Sequence, residues 1–308
     1  MTTAPAALAR PPAPGRATRR APRRYGKAIA FFVAPFGLLF TLFYVVPIAA
    51  AVWQSLLTVE RDGTFGAARQ VFGGLVQYEA VFRNEAFWES VGRVLLFGVV
   101  QVPVMLGLAL LFALLLDSPL VRGKKFFRLA YFVPYAVPGV IAAIMWGFLY
   151  SPRLSPFTAL TANVPILGAD LVLWAIANVV TWVYVGYNML IIYSALLAIP
   201  GEVSEAAVLD GAGQARIALS IKVPMVMPAI SLTAIFSIIG TLQLLAEPQV
   251  FRSFSSAVTS TFTPNMTVYA TSAVPNTSLA AAFSVVLALM TFVLSFGFLK
   301  LSQRKEAR

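Results

Sequence analysis

From Ala28 to about Trp53 the chain runs without a single charged side chain. Crossing the hydrocarbon of a bilayer takes about 20 apolar residues. A secretory signal has an apolar region of only about 7–15 residues, so this run reads as an uncleaved first span. Five further apolar segments follow, at about 91–116, 126–150, 171–198, 225–246 and 279–299. In lipid, an unpaired backbone polar group has no water to turn to, so runs of this length must be helices. The pattern predicts an all-α integral membrane protein of about six transmembrane helices.

Composition narrows the chemistry. Apolar residues make up 59% of the 308 and charged residues 11%, against about 25% charged in soluble chains. There is no Cys and no His, which removes thiolate nucleophiles, disulfides, imidazole bases and the commonest metal ligands. No catalytic residue and no metal site are expected. The net charge of +11 is placed for topology, not for nucleic acid. Seven of the basic residues lie within residues 1–27, a Pro-, Ala- and Arg-rich stretch with no apolar periodicity that reads as a disordered basic N-terminus. With six spans both termini share one side. Assigning that side to the N-terminus, 117–128, 199–224 and the 300–308 tail gives it 17 of the 23 Lys and Arg residues, leaving 6 opposite. The positive-inside rule makes the richer side cytoplasmic, so the orientation is N-in and C-in. Arg122, Lys124 and Lys125 then read as anchors to anionic lipid head groups.

The segment Glu202–Pro228, EVSEAAVLDGAGQARIALSIKVPMVMP, is polar, broken by Gly, and longer than a plain connection needs. Ile199-Pro200-Gly201 stops the preceding helix. Ser204 then reads as the cap of a short helix beginning EAAVLD. Gly211 supplies a sharp turn. A second short helix over about 213–221 places Ile217 and Ile221 on one face. The product is a helix–turn–helix on the cytoplasmic surface with a defined face for docking.

Glu205-Ala206-Ala207, Asp210-Gly211-Ala212 and Ile221-Lys222-Val223-Pro224, at these spacings, resemble the EAA loop of permease subunits in binding-protein-dependent ABC importers. Val223 stands where Leu is common in that loop. The likeness extends over nearly the whole chain after residue 28. Gly74-Leu75, Tyr78, Phe82, Phe87-Trp88, Tyr187-Asn188-Met189 and Phe251 are similar to the carbohydrate type, nearest to the first permease of maltose and glycerol-phosphate systems. Two features depart from that pattern: Gly92-Arg93 replaces the expected Asn-Thr, and RSFSSAVTSTFTPN (252–265) replaces a Gly-Gly-Pro segment.

The resemblance implies a type I ABC importer permease: a six-span domain over 28–299, in a bacterial cytoplasmic membrane, importing a carbohydrate, with a di- or oligosaccharide favoured. The chain lacks the GxxxxGK[ST] phosphate loop. The resemblance therefore implies ATP and Mg on two separate nucleotide-binding ATPase subunits, with no cofactor in this chain. It also implies a second, homologous permease and an extracellular substrate-binding protein. Glu205, Ala206, Ala207, Asp210, Gly211, Ala212, Ile221 and Pro224 would form the ATPase-coupling element.

Polar residues inside spans are candidates for the solute path. Asn178, Thr181, Tyr184 and Asn188 fall within about 120° of one another on a helix, flanked by Trp174 and Trp182. Ser237, Thr241 and Gln243 are the fifth-span candidates, and Glu247 reads as interfacial or gating. Packing between spans competes for the same residues. An ABC permease for another small solute also fits the EAA loop. A stand-alone secondary transporter would call for inverted repeats and intramembrane acids, and neither is evident.

Overall fold

The computed structural model describes residues 26–61, 68–273 and 276–306. Apart from Gly26 and Lys27 in the first helix, the expected disordered N-terminus lies outside the described residues. The chain divides into two compact units, 1–49 and 50–308. The first holds α1 (Gly26–Phe40), a π turn (Thr41–Val45) and the start of α2 (Val46–Ser55). The second continues α2 into a two-stranded antiparallel hairpin, β1 (Leu57–Arg61) and β2 (Ala68–Phe72), with Leu57 opposite Phe72. Then come α3 (Val76–Phe82), α4 (Glu85–Asp117), α5 (Lys124–Ala136), α6 (Gly139–Tyr150), α7 (Thr158–Asn163) and α8 (Val172–Leu197). After them come α9 (Gly201–Leu209), α10 (Gln214–Ile217), a second π turn (Ala218–Lys222), α11 (Val223–Met225) and α12 (Met227–Leu242). The last elements are α13 (Ala246–Phe251), α14 (Pro264–Ser272) and α15 (Thr277–Glu306).

Among the described residues, five stretches are long and apolar enough to cross a membrane: Ile29–Ser55, Glu85–Asp117, Val172–Leu197, Met227–Phe251 and Thr277–Gln303. The expected third span, 126–150, is not one straight helix. It is the pair α5 and α6, bent by 96°. The cause is local. Pro138 pushes Val137 out of the helical region, to φ −81 and ψ 124, and Pro138 itself starts α6 as its N-cap. The last helix runs beyond residue 299 to Glu306. The connections between the expected spans also hold structure: the hairpin and α3, α7, and most of α13 with α14.

Two prolines inside helical runs are accommodated in the same way. A proline lacks the N–H and its ring collides with the carbonyl four residues back. Before both Val46-Pro47 and Val223-Pro224 the helix widens into a π turn, Val46 N bonding Thr41 O and Val223 N bonding Ala218 O. The extra residue in the ring relieves the collision without ending the helix.

α4 is the central element of the second unit. Its C-terminal half packs on α8 through Ala109 and Ala113, both 0% exposed, against Met189 and Ile192. Between spans in lipid the gain is close packing and not escape from water, so small residues at four-residue spacing let the backbones approach. Its N-terminal half carries Phe97 into a cluster with Ile176, Val179, Phe251 and Met266, and Phe87 into another with Val81 and Phe283.

Candidate functional site

α9 begins directly after Pro200, its N-cap, with no side-chain cap. Ser204 therefore lies inside the helix and does not cap it. Pro200 already holds the extended geometry that starts a helix, so no cap four residues later is needed. The other end is closed by hydrogen bonds from Gly211 N to Val208 O and from Ala212 N to Ala207 O, both 2.9 Å. With Gly211 at φ +80, this is a complete Schellman closure. Glu205, Ala206, Asp210 and Gly211 are exposed, Ala207 is buried, and Ala212 and Ile221 are half-buried. Pro224 is exposed beyond the π turn. The second expected helix is the four-residue α10 followed by that π turn, so Ile217 is buried and Ile221 only partly. Leu209 is 89% exposed and Leu219 64%.

This segment is tied to α4. Lys222 Nζ meets Asp117 Oδ2 at 2.5 Å, with both side chains largely shielded. Lys124 Nζ donates to the Asp117 carbonyl at 3.2 Å. One residue thus joins the end of α4, the start of α5 and the exit of the 199–224 segment.

The second feature is a cavity of about 390 Å³ between α4, α8 and α12. Tyr184, Asn188, Ser237, Thr241 and Gln243 all line it, together with Gln101, Tyr187 and Glu247. Asn188 is held in place, Nδ2 donating to the Tyr184 carbonyl at 3.1 Å and reaching the Met105 sulfur at 3.6 Å. Ser237 Oγ donates to the Thr233 carbonyl at 2.8 Å. Tyr187 stacks on Tyr135 of α5, ring centroids 4.6 Å apart. Glu247 is buried, and a side-chain carbon on Gly139 would lie 2.7 Å from its Oε1. The broken third span therefore reaches the cavity wall.

Asn178 and Thr181 are not part of that wall. Asn178 Nδ2 donates to the Tyr150 hydroxyl at 2.7 Å and braces α8 against α6. Thr181 Oγ1 accepts from Gln101 Nε2 at 3.2 Å. Trp182 packs edge-on against Trp146. Gln101 is the residue that inspection of the spans missed. It is an amide at the middle of α4, and a lone polar residue at that depth is itself the signal.

The residues that marked the carbohydrate type before the second span are structural anchors. The Tyr78 hydroxyl bonds Ser55 Oγ at 2.6 Å. Trp88 stacks on Phe82, and Phe87 packs on Phe283. The two departures from the family pattern meet each other. Arg93 Nη1 donates to the Phe262 carbonyl at 2.8 Å, and its guanidinium lies 4.7 Å from the Phe262 ring centroid. Arg93→Gln removes a charge-assisted bond and a cation–π contact, together about 2–3 kcal/mol. Limited proteolysis of 252–263 is expected to speed up several-fold, and an unchanged rate would show that Arg93 does not hold the loop.

Helices long and apolar enough to cross a membrane, a cavity between three of them lined by amides and hydroxyls, and a structured polar loop tied to α4 are the arrangement expected of a multi-span transport permease. Comparison with known proteins identifies which kind. The chain is 32% identical over 277 residues to the lactose transport system permease protein LacF of Rhizobium radiobacter, covering 86% of this chain and 90% of the relative. It is 31% identical over 201 residues to the sn-glycerol-3-phosphate transport system permease protein UgpA of Agrobacterium fabrum, covering 64% of this chain and 67% of the relative. No model of a known protein family matches. Among solved structures, the fold is shared with a chain of a bacterial ABC transporter involved in import of the acidic polysaccharide alginate. The TM-score is 0.72, with 16% identity and 92% of this chain covered. A second structure, of the alginate transporter with an alginate pentasaccharide-bound periplasmic protein, gives a TM-score of 0.75. The chain belongs to the sugar-transport permease family of ABC importers.

Proposed function

We propose that this chain is a non-catalytic permease subunit of an ATP-driven importer in a bacterial cytoplasmic membrane, and that its cavity is the path for a carbohydrate. The observation that carries the reading is the cavity itself. Amides, hydroxyls and tyrosine rings converge at the midpoint of α4 and α8, the depth at which transporters hold their solutes. Sugars present hydroxyls and C–H faces, which match amide and aromatic walls. The relatives' named solutes include neutral and acidic compounds, so the family alone leaves both open.

In this reading the 199–224 segment faces the cytoplasm and docks in a cleft of an ATPase subunit. The exposed Leu209 and Leu219 supply apolar contact, and Glu205 supplies a charge. ATP and Mg belong to a pair of such subunits. The partners are a second, homologous permease and an extracellular binding protein. Purification of the tagged chain from its native membrane in mild detergent tests this. An ATPase and a second six-span protein should co-purify, and a chain that purifies alone would overturn the reading.

The Asp117–Lys222 pair gives the loop a direct hold on α4. A docked helix moves spans only if its displacement reaches them through contacts that differ between states. Asp117→Asn is expected to lower uptake several-fold while the assembled complex still hydrolyses ATP. The reversed pair, Asp117→Lys with Lys222→Asp, should recover part of the coupling. Equal uptake in all three forms would show that the pair transmits nothing.

A further inference from the structure

We propose that the cavity admits neutral carbohydrate, recognised through its hydroxyl donors by Gln101 and Glu247, and rejects sugars that carry phosphate or carboxylate. This rests on the reading of the cavity as the solute path.

The wall is rich in acceptors and has no cation. Gln101 is 3% exposed. Its Nε2 donates to Thr181 Oγ1 at 3.2 Å and lies 3.4 Å from the Met105 sulfur. Thioether sulfur accepts but does not donate, which fixes the amide with nitrogen on that side. Its Oε1 is buried with no partner in the protein. A buried acceptor left unpaired is costly and rare in native proteins. Gln101 lines the cavity, so a small turn of its side chain would bring this oxygen to a ligand hydroxyl that satisfies it. Glu247, 7% exposed, adds a carboxyl group to the same wall. In either protonation state it brings no positive charge.

Among the described residues, no Lys or Arg lines the cavity. α8 and α12 contain none, and the one basic residue of α4, Arg93, is engaged by Phe262 near its outer end. A phosphate or carboxylate entering this site would lose its water and find no counter-charge. It would also face the negative faces of Tyr184 and Tyr187. Leaving the wrong ligand's charge unpaired is an effective way to discriminate. A neutral sugar has no such penalty, and its hydroxyls supply the donors that Gln101 Oε1 lacks.

The test separates the cavity from the binding protein, which selects solutes on its own. The permease–ATPase complex without binding protein is placed in nanodiscs and probed by saturation-transfer NMR. The neutral probes are lactose, maltose and cellobiose, and the acidic probes are glycerol 3-phosphate and a mannuronate disaccharide. ATP-driven uptake of the same five is measured in proteoliposomes with the binding protein present. The expected result is saturation transfer to at least one neutral sugar and to neither acid. Gln101→Met should weaken that binding at least ten-fold. Transfer to either acid in the wild-type complex would overturn the inference and leave the carbohydrate path standing. Unchanged neutral binding in an assembled Gln101→Met complex would overturn it too. Neither binding nor uptake of any of the five would remove the carbohydrate reading and this inference together.

Discussion

Replacing Gly211 with valine is expected to abolish ATP-driven uptake while leaving membrane insertion intact. The reason is conformational. Gly211 sits at φ +80, where a β-branched residue is strongly disfavoured, at a cost of about 1–2 kcal/mol or more. No atom lies within 4 Å of where its side chain would start, so crowding is not the cause. The cost falls on the two hydrogen bonds that close α9, from Gly211 N and Ala212 N. Once they open, α9 loses its fixed angle to α10, and the face proposed to dock on the ATPase loses its shape. The spans themselves contain none of these bonds, so insertion should survive. Gly211→Asn serves as the control, because Asn tolerates left-handed geometry, and most uptake should remain. Uptake at wild-type rate in the valine variant, measured at equal membrane abundance, would show that the turn has no role.

Gly186→Val is expected to damage the whole second unit. A side-chain carbon on Gly186 would collide with the carbonyl of Tyr131 and lie 3.1 Å from Phe132 N. These are backbone atoms of α5 and cannot rotate aside. α5 would have to move off α8, and with it the Tyr135 ring that stacks on Tyr187 at the cavity wall. Overpacking of this kind costs about 1–3 kcal/mol even where neighbours are flexible, and more where they are backbone. The detergent-solubilised variant should melt several degrees below wild type or fail to assemble with its partners. Melting at the wild-type temperature would mean that α5 and α8 do not approach this closely.

The two variants also show what sequence alone can reveal. The turn at Gly211 was legible because its requirement is local: a glycine between two short helical runs at a known spacing. The close approach at Gly186 was not, since it depends on a helix more than fifty residues earlier arriving at that face. The apolar runs located the spans, for burial in lipid is a property of each segment by itself. The bend within 126–150 was less visible. The Val137-Pro138 step makes the break local, but its 96° size also depends on α5 and α6 each packing on α8, which neither segment encodes by itself. The cavity was legible in part. Tyr184, Asn188, Ser237, Thr241 and Gln243 were chosen for polarity at depth and do share one wall. Asn178 has the same chemistry and shares a helical face with Tyr184, yet α6 captures it through Tyr150. Gln101 escaped notice because it stands alone in an apolar helix, with its partner on another span.

The most direct measurement of the central claim is solute flux in proteoliposomes holding this chain, its co-purifying permease and ATPase subunits, and the binding protein. The account predicts uptake of a carbohydrate that requires ATP inside the ATPase-facing compartment and the binding protein on the other side. Uptake should fall to background when Gly211 is valine. Flux by this chain alone, without ATP and driven by an ion gradient, would contradict the account and establish a secondary transporter instead.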